Sequence, residues 1–238
     1  MPTTLLLQLA GPMQSWGFRS RFDNRDTGLE PTRSGVIGLL CAALGRGRNT
    51  DLSEFERLHM GVRVDAPGRV ALDYHTAQPV WRGSTATTVS NRYYLADARF
   101  LVGLQAEDAV WLGSLEAALR NPVWSLFLGR KSFAPSLPLH LETPGLREGQ
   151  VETVLKTEAW RWLSQTERDA VGTSPRLRLV LETDKPREGV ATSDAPRDFA
   201  RRRYGVRYLR TDFCQPPIAR HPLAEEPRYK DARHEVSQ

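Results

Sequence analysis

Arginine is the chemical signature of this sequence: of its 33 basic residues only Lys131, Lys156, Lys185 and Lys230 are lysines. A guanidinium is a planar fork that grips phosphate at two points and stacks on bases, so this bias suits a nucleic-acid partner. Codon bias alone would also enrich arginine, so placement has to discriminate. Residues 11–48 carry Arg19, Arg21, Arg25, Arg33, Arg46 and Arg48 against Asp23, Asp26 and Glu30, a net charge of +3. Within that segment Arg33, Ser34 and Gly35 stand at the expected start of a helix. Free N–H groups and the positive end of the helix dipole make such a place a phosphate seat. A second cluster, "LGRKSF" at 128–133, sets Arg130, Lys131 and Ser132 behind a short apolar run. A third, 198–210, has five arginines against Asp198, interleaved with Tyr204 and Tyr208. Charge beside aromatic faces is the surface that single strands favour.

Catalytic groups are harder to assemble. Tyr74 and His75, with Lys131 to stabilise charge, are the residue types a metal-independent ribonuclease needs. Adjacent residues of a strand point to opposite faces, however, so both reach one site only through a bulge. There is no Walker G-x-x-x-x-G-K-[ST] motif, no Ser/His/Asp set and no paired carboxylate. The histidines at 59, 75, 140, 221 and 234 are dispersed, and Cys41 and Cys214 are the only cysteines. That spacing holds no zinc, and no metal or cofactor is expected. Nothing in these residues requires an enzyme.

The elements that must position the arginines follow from periodicity. "TLLLQL" at 4–9 alternates Leu5, Leu7 and Leu9 against Thr4, Leu6 and Gln8, which predicts a strand with one dry face. Gly11-Pro12 then turns the chain out of the sheet, leaving Gln14, Ser15 and Trp16 to meet a ligand. A helix is predicted from a Thr32 or Ser34 cap through Leu44, ended by Gly45 or Gly47. Asp51 caps a short helix running to His59. "GVRVD" and "GRVALDYHTAQ" read as strands joined at Ala66-Pro67-Gly68, residues 79–92 as an exposed hairpin, and "YYLADARFLVGLQ" as a strand. A helix is marked by Trp111, Leu112, Leu115 and Leu119, and 121–139 reads as a turn, a short helix and an extended tail. Beyond Pro144 the pattern predicts a helix at 151–164, a strand at "RLRLVLE", a polar loop at 183–198 and a basic strand at 201–210. Residues 215–238 read as a frayed tail. The order strand, helix, strand, strand points to an α+β fold with an antiparallel sheet, of which the ferredoxin-like arrangement is the commonest case.

The totals are compatible with this. The chain has 238 residues, 26% charged and 40% hydrophobic, with a formal charge of +5, which describes a globular domain with a real core. No apolar run has the length of a membrane span, and the apolar segment at the N-terminus is too short for a signal peptide. A cytoplasmic location is expected.

Together, "LAGPMQSWG", "RSRFDNRDTGLEPTRSGVIGLLCAALG", "RYYLADARFLVGL" and "LGRKSFAPSLPL" resemble the Cas-five family of CRISPR proteins, in the form found in type I-E Cascade surveillance complexes. The resemblance runs from Leu5 to about Leu139 and is faint beyond Pro144, apart from "RRRYGVRYLR". It implies a ferredoxin-like (RNA-recognition-motif-like) domain over 1–143 with a protruding β-hairpin thumb at about 76–92. A smaller C-terminal part would span 144–214 and a flexible tail 215–238. It further implies a non-catalytic subunit that grips and caps the 5′ handle of the CRISPR RNA. Its partners would be the backbone-filament and large subunits of Cascade, with target DNA near the seed end reached through the complex and no membrane. Carried over, RNA contacts would come from Gln14, Ser15, Trp16, Arg21, Arg25, Arg33, Ser34, Arg46, Arg92, Arg130, Lys131 and Ser132. Type I-C relatives are endoribonucleases with an adjacent Lys and His. Here Lys131 is followed by Ser132, so that pairing is missing. The aromatic signature of RNA-recognition sheets is also absent, which directs binding to loops rather than the sheet face.

Overall fold

A computed structural model describes residues 1–17, 24–77, 87–141, 144–162, 167–169 and 174–221. Arg21, the tip of the expected thumb and most of the expected tail lie outside them. The first half runs β1 (Thr3–Ala10), β2 (Met13–Gln14), β3 (Asn24–Arg25), α1 (Arg33–Ala43), β4 (His59–Ala66), β5 (Arg69–Ala77), β6 (Thr88–Ala96), β7 (Arg99–Ala106) and α2 (Ala109–Arg120). The second half runs β8 (Leu146–Glu148), α3 (Val151–Thr157), β9 (Trp160–Trp162), β10 (Leu177–Thr183), β11 (Val190–Asp198), β12 (Arg203–Cys214) and β13 (Ile218–Arg220).

Among the described residues, seven strands form one antiparallel sheet in the order β11-β12-β10-β4-β7-β1-β8. Residues from 144–214 supply β8 at one end and β10, β12 and β11 at the other. The chain threads β1-α1-β4-β7-α2-β8, and these four strands lie in the order β8-β1-β7-β4. β1 is thus central, and its eight residues are all buried.

The expectation of one dry face for β1 is corrected: both faces are dry. Leu5, Leu7 and Leu9 pack into the main core with α1 and α2, whereas Leu6 joins Val151, Val154 and Leu155 of α3 in a second core. Gly61 and Gly103 face each other across β4 and β7, and a β-carbon at either would come within 3 Å of an α3 side chain or its neighbour. Their bareness lets α3 lie close over β1, β4 and β7. Fully buried Arg63 then caps the end of α3, donating to the carbonyls of Leu155 (2.9 Å), Ala159 (3.2 Å) and Glu158 while pairing with Asp65 at 2.6 Å. A face covered in this way has no room for bases.

Other expectations hold with adjustments. Thr32 is the cap of α1, its Oγ1 accepting from the Gly35 N–H at 3.2 Å, and Gly45 ends the helix with φ +69°. "YYLADARFLVGLQ" is two strands rather than one, broken by Asp97 at φ +57°. No helix lies within 121–139 among the described residues, where Pro122, Pro135 and Pro138 remove backbone donors. The helix expected over 151–164 ends at Thr157, and the expected loop 183–198 contains β11. β13 pairs with β9 inside what read as tail.

A buried polar junction ties α1 to the distal half of the sheet. Glu182 of β10 accepts from Arg33 Nη1 (2.7 Å), Arg207 Nη1 (2.8 Å) and the Met60 N–H (2.8 Å). Asp194 of β11 accepts from Arg207 Nε (2.5 Å) and Nη2 (2.7 Å) and from the Arg33 N–H (2.8 Å). Arg33 Nη2 donates to the carbonyls of Phe55 and Leu58 at 2.9 and 2.7 Å. Burial alone would lower the Arg207 pKa, but Asp194 and Glu182 outweigh it and hold the group above its ordinary value. Removing one partner of such a set strands a buried charge, which costs about 3–5 kcal/mol. Glu182→Gln is therefore expected to lower the unfolding free energy by that amount, read as a lower denaturant midpoint at unchanged slope. A shift below about 1 kcal/mol would show the junction to be structurally idle.

Candidate nucleic-acid interface

The turn after β1 and the "LGRKS" segment are built as one unit. The Ser15 N–H donates to the Leu128 carbonyl at 3.0 Å, and Ser136 N–H donates to Ala10 at 2.8 Å. Gly129 sits at φ +94° with its α-carbon so close to Ser15 that a β-carbon would fall 1.8 Å from the Ser15 carbonyl oxygen. Only glycine tolerates both the backbone conformation and the contact. The consequence is that Arg130 projects beside β6, where its Nη2 donates to the Tyr93 carbonyl at 2.7 Å. β3 pairs in parallel with β6, bringing Arg25 opposite Arg92.

Three guanidinium groups thus converge from three separated segments. Among the described residues none of Arg25, Arg92 and Arg130 takes a carboxylate partner; Arg92 Nε donates to Ser90 Oγ at 3.0 Å. Burial first, then the charges of Arg92 and Arg25, lower the Arg130 pKa, opposed in part by Asp73. Crowded like charges that Asp73 offsets only in part favour an incoming anion. Many other arginines are internally satisfied: Arg33, Arg63, Arg99, Arg147, Arg178, Arg207 and Arg210 all pair with carboxylates.

Arg25 and Arg130 face open space. A cleft of about 890 Å3 is bounded by Ser15, Trp16, Arg25, Ser34, Arg130 and Arg202, among others. Across a wall of Ser34, Gly35, Gly129 and Arg202 it meets a second hollow of about 970 Å3, which Arg46, Arg48 and Lys131 also line. Lys131 and Ser132 are exposed. Arg46 pairs with Glu54 and lies over the Phe55 ring, 5.6 Å from its centre, so its charge is partly spent.

Three expected contacts are corrected. Gln14 is fully buried; its Nε2 donates to the carbonyls of Leu9 (3.3 Å) and Ala98 (2.6 Å), and its Oε1 accepts from Trp16 Nε1 at 3.2 Å. Trp16 is 1% exposed and packs on Gly35, so it walls the cleft instead of stacking on a base. Arg33 belongs to the buried junction. The helix start is likewise occupied: Asp194 takes the Arg33 N–H and Thr32 takes that of Gly35. Ser15 is buried and contributes mainly backbone. Arg202 and Arg48 are not among the contacts that the resemblance implies, although both line this region. The "RRRYGVRY" run carried the signal for Arg202, but sequence could not separate it from Arg207, which the junction consumes.

The close contact at Gly129 gives a direct test. Gly129→Ala is expected to lose about 1–3 kcal/mol in thermal or denaturant unfolding, since the added methyl must push the two loops apart. Unchanged stability would contradict the contact.

Comparison with known proteins agrees with this architecture. Residues 4–210 match the model of the family described as "CRISPR-associated protein (Cas_Cas5)". The Cascade subunit CasD of Escherichia coli strain K12 is 39% identical over 162 residues, which is 60% of this chain and 72% of that protein. A structure described as "Crystal structure of Cas protein" is 41% identical, with TM-score 0.72, covering 89% of this chain and 95% of its own. A chain of a "CRISPR RNA-guided surveillance complex" is 31% identical, with TM-score 0.75, covering 93% of this chain and 95% of its own. The chain belongs to the Cas5 family of CRISPR-associated proteins.

Proposed function

We propose that this protein is a non-catalytic subunit of a type I-E Cascade surveillance complex that binds and caps the 5′ handle of the CRISPR RNA. The observation that carries this reading is the convergence of Arg25, Arg92 and Arg130, none of them in an ion pair among the described residues, beside a cleft that Arg25 and Arg130 line and that continues along α1. Membership of a family that includes a Cascade subunit makes CRISPR RNA the natural polyanion.

The finer architecture follows the same reading. The connection β1-α1-β4-β7-α2-β8 with spatial order β8-β1-β7-β4 supports a ferredoxin-like unit. Because α3 covers one face of its sheet and α1 with α2 the other, the RNA lies on loops at the sheet edge. The β5–β6 hairpin is the base of the thumb. Backbone-filament and large subunits would flank the RNA, target DNA would approach through the complex, and the whole would operate in the cytoplasm. No helix among the described residues is long and apolar enough to cross a membrane.

Against catalysis, Tyr74 and His75 occupy successive positions on β5 and so face opposite sides. Neither lines the clefts that Arg130 and Lys131 border. Incubation with CRISPR repeat RNA in EDTA is expected to leave the RNA intact. Cleavage that disappears in His75→Ala would overturn the non-catalytic assignment.

Binding to the handle is expected to weaken as salt rises, with each neutralised phosphate of a single strand contributing roughly −0.7 to the log–log slope. Replacing Arg25, Arg92 and Arg130 together by Gln should flatten that slope by roughly two units. An unchanged slope would remove the cleft from the binding surface.

A further inference from the structure

The two hollows differ in chemistry. The arginine cleft is a seat for phosphate, whereas the second hollow adds aromatic faces. Trp124 is 47% exposed and Tyr204 44% exposed, and both border it. Neither is a loose surface residue. The Val123 and Trp124 N–H groups donate to the carbonyls of Ala43 and Ala42, at 2.9 and 3.2 Å, which fixes this stretch to the end of α1. Tyr204 is the second residue of β12, two positions after Arg202, which holds a positive φ of 52° in the turn between β11 and β12. A left-handed backbone at a non-glycine residue is uncommon, and here it falls at one of the four residues shared by both hollows.

One side of this hollow is bare. Gly38 lies in the middle of α1 and borders the hollow, and a β-carbon built there meets no atom within 4 Å. Glycine is the least helix-favouring residue apart from proline, so local stability gives no reason for it here. What it does provide is open space in a hollow that two exposed rings also border. Arg48, Lys131 and Arg202 rim the hollow and, among the described residues, have no carboxylate partner.

We propose that this hollow is a slot for an unstacked nucleobase of the bound RNA, lying over Gly38 with Trp124 and Tyr204 as stacking faces, while Arg48, Lys131 and Arg202 hold the flanking phosphates. The slot rests on the RNA-binding reading and deepens it: the arginine cleft carries charge, and the aromatic hollow carries base contacts. Flat π-faces beside guanidinium groups suit a base, and the cationic rim suits the phosphates on either side of it. An acidic protein segment would use the rim but leave the aromatic faces and the bare helix floor without purpose.

The test uses the full chain with two probes, an octameric oligoadenylate and a chain of equal length made of abasic spacers. The wild-type protein is expected to bind the base-bearing chain roughly tenfold more tightly, the scale of stacking on one aromatic face. Gly38→Leu, which fills the slot from a position that contacts nothing, should abolish that ratio and leave the salt slope unchanged. Trp124→Ala and Tyr204→Ala should each reduce the ratio, and thermal unfolding of all three variants checks that they fold. The Arg25, Arg92 and Arg130 triple variant should flatten the slope and preserve the ratio. If the wild type binds both probes equally, or Gly38→Leu keeps the ratio, the slot is refuted and the hollow falls to a protein segment. If it binds neither, the RNA-binding reading itself fails.

Discussion

Glu182 and Asp194 hold the guanidinium groups of Arg33 and Arg207 in a nearly closed set of hydrogen bonds where α1, β4, β10, β11 and β12 meet. Two carboxylates and two guanidiniums balance in charge, and each partner satisfies groups the others could not leave bare. This junction fixes the first turn of α1 against strands contributed by the second half of the chain. The groove along α1 takes one rim from the β11–β12 turn, through Arg202 and Tyr204. Its shape therefore depends on a contact between residues 149 positions apart.

The junction also sorts the arginines. A guanidinium facing a buried carboxylate is structural, and one left without such a partner remains available to an anion. Arg33 and Arg207 fall in the first class, Arg25, Arg92 and Arg130 in the second. The free set converges because Gly129 allows the "LGRKS" turn to lie almost on the Ser15 backbone, and because β3 pairs beside β6. Neither contact involves an arginine side chain. The charge of the site is thus positioned by backbone geometry, and its specificity is left to what surrounds the charge.

Much of the fold was legible. The strand at 4–9, a helix capped at Thr32 or Ser34 and stopped at Gly45 or Gly47, and the Ala66-Pro67-Gly68 turn are local signals set by sterics and hydrogen-bond accounting; the structure has all three and selects Thr32 and Gly45. The failures share a cause. Leu6 read as an exposed or half-polar position because α3, far along the chain, had not yet been placed over it. β11, rich in Thr, Asp and Pro, read as loop because its strand conformation comes from pairing with β12. Gln14 and Trp16 read as ligand-seeking because their types are polar or aromatic. Instead they bond each other, and Gln14 also bonds Leu9 and Ala98.

By itself the sequence determined the chain's chemistry and its local grammar: an arginine-rich α+β protein, its turns and caps, and the segments from which a basic surface would be drawn. Those properties depend on side-chain type and on interactions spanning a few residues. Only the tertiary structure decided which arginines stay charged toward solvent, because that depends on whether a distant carboxylate arrives within hydrogen-bonding reach. It likewise decided that the sheet is covered on both faces at β1 and that Gly38 lies open in a hollow that Trp124 and Tyr204 also border. Long-range packing brings such groups together, and periodicity along the chain carries no record of it.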